Sequence, residues 1–278
     1  MDPMSLAQIG KETLSIIDRG WYETRSGKRL ELQATIKAAV AATKLYRPAD
    51  VDNLLVCRKE VQGPAPHMQV TSETTAQAAR RLVEDERVAH VLALNFASAK
   101  NPGGGFLGGA RAQEEDLARV SALYTCQLAQ PAYYEANRAA SSMLYANHLI
   151  YSPDVPFFRD DDFEFLDTPF FVSIITSPAP NAGEALRRDS ELASKIHATL
   201  ELRAGHILAV AADRGHRVLV LGAWGCGVFR NKPTEVAAVF HRWLSGRFRG
   251  VFDHVVFAIH DRSRDRSTLS AFQRQFSS

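Results

Sequence analysis

The sequence predicts an α/β fold, a largely parallel or mixed sheet sandwiched between helices. Short apolar runs alternate with stretches of helical spacing, several runs carry enough Val, Ile, Leu and Phe to be buried on both faces, and two glycine-rich loops stand at strand ends. With 278 residues, 46% of them hydrophobic, the chain can bury a large core. In chain order, Leu6–Ile17 and Leu30–Leu45 are helix-like, and residues 1–50 are expected to form an N-terminal, mainly helical extension packed on a domain of residues 51–278. Asn53–Cys57 reads as the first strand, Thr71–Asp85 as a helix and His90–Phe96 as a central strand. Glu114–Gln130 has the spacing of one helix, with Leu117, Val120, Tyr124 and Leu128 in a single stripe. Pro153–Pro169, which contains Asp160, Asp161 and Asp162, reads as an exposed loop. Phe171–Thr176, Arg217–Gly222 and His254–His260 complete the strands; Asp189–Arg214 and Pro233–Phe248 are the remaining helices, the latter with Pro233 suited to a first turn.

Composition narrows the function. A net charge of +2 supplies no field for nucleic acid or a membrane surface, so an anionic ligand must be held locally. Cys57, Cys126 and Cys226 form no Cys-x-x-Cys pair, which argues against a disulfide framework or a thiolate zinc site. The nine histidines include no His-Glu-x-x-His pair, and no metal is expected. Neither a signal-peptide pattern nor an apolar run of ~18 residues is present, so a cytoplasmic chain is expected.

The chemistry concentrates in residues 95–115. After strand His90–Phe96, Gly103, Gly104 and Gly105 leave the backbone bare, and three successive amides there can form an anion-holding nest. After seven intervening residues come Gln113, Glu114 and Glu115, at the point where helical periodicity begins. A second loop, Gly222–Arg230, leaves strand Arg217–Gly222 with Gly225, Cys226, Gly227, Val228 and Phe229, whose ring can pack on a sugar or base. Thr176–Asn181 would wall the same cleft, beyond the carboxyl ends of the strands. Simpler readings stand beside these: the glycines as turns, the glutamates as first-turn residues that suit the helix dipole, Cys226 as a small loop residue, Asp160–Asp162 as a solvated loop, and Asp261 and Arg262 as a surface turn.

The glycine triplet followed by Gln113-Glu114-Glu115 resembles the signature of poly(ADP-ribose) glycohydrolases, and Gly225–Phe229 resembles that family's second, diphosphate-binding loop. The similarity runs from the N-terminal extension to the final strand and is greatest to compact, bacterial-type members. It implies a macrodomain fold, ADP-ribose recognition, hydrolysis of the ribose–ribose bonds of poly(ADP-ribose), and a role in reversing this modification after DNA damage. Carried onto this sequence, it makes Glu115 the catalytic acid, Glu114 its ribose-binding neighbour, and Gly103–Gly105, Gln113 and Gly225–Phe229 the surround of the ligand. Many macrodomains carry Asn-Ala-Ala-Asn after this strand; here Asn95-Phe96-Ala97-Ser98 puts Ser at the second Asn position, which makes Asn101 the expected distal-ribose ligand. Partners implied are poly(ADP-ribose) and ADP-ribosylated proteins, with ADP-ribose as product, no direct nucleic-acid or membrane binding, and a monomer.

Cleaving a ribosyl bond passes through an oxocarbenium-like state in which the leaving oxygen needs a proton, so the acid must carry one part of the time near neutral pH. No cofactor is needed for this. Two other classes are weighed: a non-catalytic ADP-ribose-binding macrodomain, against which the Glu114-Glu115 pair argues, and an NAD-dependent oxidoreductase, because Gly103, Gly105 and Gly108 satisfy Gly-x-Gly-x-x-Gly. The latter lacks a tight strand–helix turn and a ribose-holding acid ~20 residues on.

Overall fold

Ser5 accepts from the Gln8 amide and starts α1 (Leu6–Arg19), and Gly20 closes it in the left-handed region at φ 78°. The computed structural model describes residues 4–58 and 61–276. A hairpin of β1 (Trp21–Glu23) and β2 (Arg29–Glu31) follows, then α2 (Gln33–Ala42), β3 (Lys44–Tyr46) and α3 (Pro48–Cys57). The middle of the chain supplies β4 (His67–Thr71), α4 (Thr75–Glu84), β5 (Val91–Phe96), α5 (Gln113–Val120), α6 (Leu123–Leu128) and α7 (Pro131–Ala139). The remainder is β6 (Leu149–Arg159), β7 (Phe165–Ser177), α8 (Ala182–Arg188), α9 (Ala193–Asp213), β8 (Val218–Gly222), α10 (Pro233–Ser245), β9 (His254–Ala258) and α11 (Ser267–Phe276).

Seven strands form a mixed sheet in the order β3-β6-β7-β5-β8-β9-β4. The five from β7 to β4 run parallel, while β6 and β3 are antiparallel additions at one end. Successive residues of β5 face opposite layers. Leu92 and Leu94 join a core that includes α9 and α10, whereas Val91 and Ala93 join one that includes α2, α4 and α5. This is the expected helix–sheet–helix arrangement. Its consequence for function is that Phe96, Ser177, Gly222, Ala258 and Thr71 all end strands on one edge of the sheet.

Several elements depart from the sequence reading. Asn53–Cys57 is helical, because Pro48 opens α3 and Asp50 accepts from the Arg47 amide at 2.8 Å, which turns the apolar run into a helix face with Val51 buried. The stretch Leu30–Leu45 divides into β2, α2 and β3, and β3 enters the main sheet. Residues 67–71 form an edge strand, and the helix read from Thr71 begins at Thr75 behind a Thr74–Gln77 capping box. Pro153–Pro169 is the far end of the β6–β7 pair, with Phe157 and Phe158 buried and a turn only at 160–164. Its prolines mislead because β3 covers β6 only at Leu149–Tyr151 and β5 covers β7 only from Ser173; beyond those limits β6 meets, on its outer side, just the Ser121–Phe157 bridge and has a register shift at Ser152/Val155, so prolines are tolerated there. The helix Glu114–Gln130 breaks at Ser121, which leaves helical geometry and pairs with Phe157, so Leu128 is exposed while Leu123 and Cys126 are buried.

Arg203 of α9 ties the fold to the site edge. Its buried guanidinium donates to Asn147 Oδ1 at 2.7 Å, to the carbonyls of Leu144 and Tyr145 at 2.5 and 2.9 Å, and to that of Pro178 at 2.9 Å. A planar fork suits this set of acceptors and an ammonium does not. Arg203→Lys is therefore expected to lower the unfolding free energy in a urea titration by about 2–4 kcal/mol. A loss below about 0.5 kcal/mol, within the range of ordinary surface changes, would make these bonds dispensable.

Candidate active site

Loops leaving β5, β8 and β9 open onto a cleft of about 930 Å³. Of the residues singled out from sequence, Asn101, Gly104, Gly105, Gln113, Glu114, Glu115, Gly225, Cys226, Gly227, Val228 and Phe229 line it. Gly103 lies buried beneath them. The far end of the cleft is bounded by residues 161–163 and 258–262. There Asp261 accepts the amides of Thr268 and Leu269 at 2.9 and 3.2 Å, so it caps α11.

Glu114 is 2% exposed and is surrounded by hydrogen-bond donors. Asn95 Nδ2 and Gln127 Nε2 donate to Oε1 at 3.0 and 2.7 Å, and the Ser98 amide donates to Oε2 at 2.6 Å. Two donors fill the lone pairs of Oε1, which leaves Oε2 with the open position, facing Gly104. Burial nevertheless pushes the Glu114 carboxyl up to about 7; the Ser98, Asn95 and Gln127 bonds oppose this and the neighbouring Glu115 charge adds to it. Asn95 is itself anchored to Thr176 Oγ1 at 3.2 Å, across the β5–β7 pair.

Glu115 is half-buried at the rim, and Oε1 accepts from the Gly105 amide at 3.0 Å. The glycine triplet thus differs from the open anion nest read from sequence. Gly103 N–H donates to Gln127 Oε1 at 2.9 Å, Gly104 N–H to the Asn101 carbonyl at 3.1 Å, and Gly105 N–H to Glu115. All three amides hold protein oxygens. Gly104 has φ +58°, and a Cβ there would fall on the Glu115 carboxylate, so the bare backbone makes room for the acid. Gln113 lines the cleft, but its Oε1 accepts from Phe96 N–H at 2.8 Å and its Nε2 donates to Leu94 O and Thr75 Oγ1 at 2.8 and 3.0 Å. It straps α5 to the end of β5. Ser98 Oγ accepts the Asn101 amide at 3.2 Å and so holds the turn that presents Asn101, whose side chain is exposed. Gly103, Gly105 and Gly108 make no tight strand-to-helix turn, because residues 97–112 separate β5 from α5.

The second loop leaves part of its backbone unpaired. Trp224 is buried and donates to Ser177 O at 3.0 Å, and Asn231 Nδ2 bridges Pro180 O and Gly225 O at 2.8 and 3.0 Å. With the loop so pinned, and Gly225 at φ +72°, the consecutive amides of Gly227, Val228 and Phe229 meet no acceptor among the described residues. A run of unpaired N–H groups is what an anion nest is built from. Phe229 packs on Tyr145, ring centroids 5.9 Å apart, the residue whose carbonyl Arg203 holds. Burial pushes the Cys226 thiol up to about 12, which suits a loop-lining residue rather than a thiolate nucleophile. The sequence reading named Thr176 as part of the cleft wall and Asn95 as part of the strand exit but not as supports of Glu114, and it missed Gln127. A polar residue inside the apolar run His90–Phe96 was a usable signal for Asn95; Gln127 had none, because it depends on the break at Ser121.

The family model for the catalytic domain of microbial-type PARG matches residues 10–160. Among solved structures, poly(ADP-ribose) glycohydrolase from Thermomonospora curvata is 45% identical over 98% of this chain and 99% of its own, with a TM-score of 0.94. The same enzyme bound to the inhibitor ADP-HPD is 44% identical over 98% and 99%, with a TM-score of 0.90. Poly(ADP-ribose) glycohydrolase from Deinococcus radiodurans in complex with ADP-ribose is 46% identical over 89% of this chain and 98% of that one, with a TM-score of 0.82. A comparison with curated proteins finds no match. No helix among the described residues is long and apolar enough to cross a membrane.

The raised Glu114 couples stability to pH. Its folded state holds the proton more tightly than the unfolded chain, so the stability it contributes is full below about 4.5 and is lost as pH rises through about 7. A loss on the order of 3 kcal/mol bounds the effect. Chemical denaturation at pH 5 and pH 8 should show this difference in the parent and a smaller one in Glu114→Gln. An equal difference in both proteins would place the titrating group elsewhere.

Proposed function

The chain belongs to the microbial-type poly(ADP-ribose) glycohydrolase family, and from that premise we infer that it hydrolyses the ribose–ribose O-glycosidic bonds of poly(ADP-ribose) and releases ADP-ribose. The observation that carries the assignment of roles is the unequal treatment of two adjacent carboxylates. Glu114 is sealed among three donors with one acceptor position open, which fits it to receive ribose hydroxyls. Glu115 stands at the rim with Oε1 tethered by Gly105 and Oε2 free of hydrogen bonds from the described residues. Paired acids in different environments are how one site divides binding from proton transfer.

In this reading the diphosphate lies on the Gly227–Phe229 amides, Phe229 packs on the distal ribose, and Asn101 reaches its hydroxyls. Glu115 gives its proton to the leaving ribose oxygen as the glycosidic bond lengthens, and the resulting carboxylate then takes a proton from the attacking water. Positive charge on the ribosyl centre is met by Glu115 and by the substrate's own phosphate oxygens. Gln113 and Gly103–Gly105 serve by fixing the two acids. The partners are poly(ADP-ribose) and ADP-ribosylated proteins, and the enzyme acts as a cytoplasmic monomer in reversing the modification after DNA damage.

Incubation with poly(ADP-ribose) should yield free ADP-ribose; tight binding with intact polymer would mark a non-catalytic reader instead. Glu115→Gln should slow release ~100- to 10,000-fold while ADP-ribose still binds. Activity within about tenfold of the parent would remove Glu115 from the acid role. The second loop is tested by Gly227→Val. A Cβ at Gly227 meets no atom of the described residues within 4 Å, so a weaker calorimetric affinity for ADP-ribose in a folded variant reports contact with ligand. Parental affinity would place the loop outside the site.

A further inference from the structure

One buried amide touches both halves of the catalytic apparatus. Gln127 is fully buried; its Nε2 donates to Glu114 Oε1 at 2.7 Å and its Oε1 accepts from Gly103 N–H at 2.9 Å. The orientation of the amide is fixed by its partners, since a flipped group would set an N–H against the Gly103 N–H and an oxygen against the carboxylate. From Gly103 the backbone runs through Gly104, which faces both carboxylates, to Gly105, whose amide holds Glu115. A continuous path of hydrogen bonds and backbone therefore joins Glu114 to Glu115 through a residue in a different helix.

Resting on the roles given to the two glutamates above, we propose that Gln127 is a positioning residue for the reaction: it keeps the Glu114 carboxylate ionised and aimed and, through Gly103, sets the loop that holds Glu115. The helix break makes this possible. At 3.6 residues per turn, an unbroken helix from Glu114 would carry position 127 roughly 220° around the axis, away from the carboxylate. Ser121 instead leaves helical geometry, with Oγ donating to Leu117 O at 2.7 Å and accepting from Leu123 N–H at 3.2 Å, and α6 restarts with Cys126 and Gln127 facing inward. The titratable groups whose charge reaches Glu114 are Glu115 on its own helix and Tyr133 and Tyr134 on α7. Asn95 and Ser98 approach from the β5 side as neutral donors. Gln127 and Asn95 are thus the two side chains that donate to Glu114, and Gln127 alone of them also reaches the glycine loop.

Gln127→Glu keeps the acceptor for Gly103 and replaces the donor facing Glu114 with an oxygen, so the two carboxyls must share a proton. The acidic limb of the kcat/KM profile for polymer hydrolysis is expected to move up by at least about one pH unit. Gln127→Met, similar in volume, loses both bonds and should lower kcat/KM at least ~10-fold. A purely structural role would lower the melting temperature of both variants and leave the pH profile in place; that outcome in folded, active variants overturns the proposal. A wild-type measurement covers the case in which neither variant folds. The side-chain amide resonance of Gln127 in the nuclear magnetic resonance spectrum should shift between pH 5 and 9 with a single midpoint as Glu114 titrates. A resonance that stays fixed overturns the link. If the parent protein fails to cut polymer, the functional reading falls, while the titration still decides whether Gln127 senses Glu114.

Discussion

A carboxylate withdrawn from water at the end of β5 governs the design of this site. An isolated buried carboxylate is too costly to keep charged, so Glu114 needs several donors around it or else neutralises. The fold supplies them from three directions: Asn95 within β5, the Ser98 amide just beyond it, and Gln127 from α6. Asn95 in turn needs Thr176 from β7, and Gln127 needs the Gly103 amide. The strand order, the bent β5–α5 loop and the interrupted α5–α6 helix all bear on the same few atoms.

The two glycine loops look alike in sequence and do opposite things. The first is turned inward; its amides hold protein oxygens, and Gly104 clears space for Glu115. The second is pinned by Trp224 and Asn231, and its Gly227, Val228 and Phe229 amides meet no acceptor among the described residues. Gly222 shows how tight the junction is, since a Cβ there would lie 2.7 Å from Ala258 O and 2.8 Å from the Phe96 ring. Bare backbone is used to approach a side chain in one loop, a neighbouring strand at the junction, and solvent in the other.

The parts of the fold legible from sequence were those governed by local period and burial. The apolar runs at β5, β8 and β9 need partners on both faces, as does the second half of α9, where Arg203–Ala211 are all buried, whereas α10 buries one face. The Leu54-Leu55-Val56 run was misread because a helix start at Pro48 outranks a short apolar stretch. Residues 153–169, the far end of the β6–β7 pair, were read as a loop because prolines are tolerated on an edge that exists only where the short β3 stops. At the site, the acids and both loops were visible as motifs, whereas the chemical character of Glu114 was not. It arises from Asn95, Thr176 and Gln127, whose proximity is a product of sheet register and a helix break rather than of spacing along the chain.

The parallel pairing of β5 has a temporal side. Val91–Phe96 forms its ladders with residues 173–177 of β7 and 218–220 of β8, far along the chain. During synthesis both glutamates and the first loop leave the ribosome well before Thr176, Trp224 or Phe229 exist. Until those strands arrive β5 has no sheet to enter, and Glu114 remains a hydrated, chemically ordinary acid. Loop closure over such separations is a slow entropic step. The surroundings of Glu114 and Glu115 are therefore complete only after β7 and β8 have been made, and a partly made molecule carries the signature residues without them.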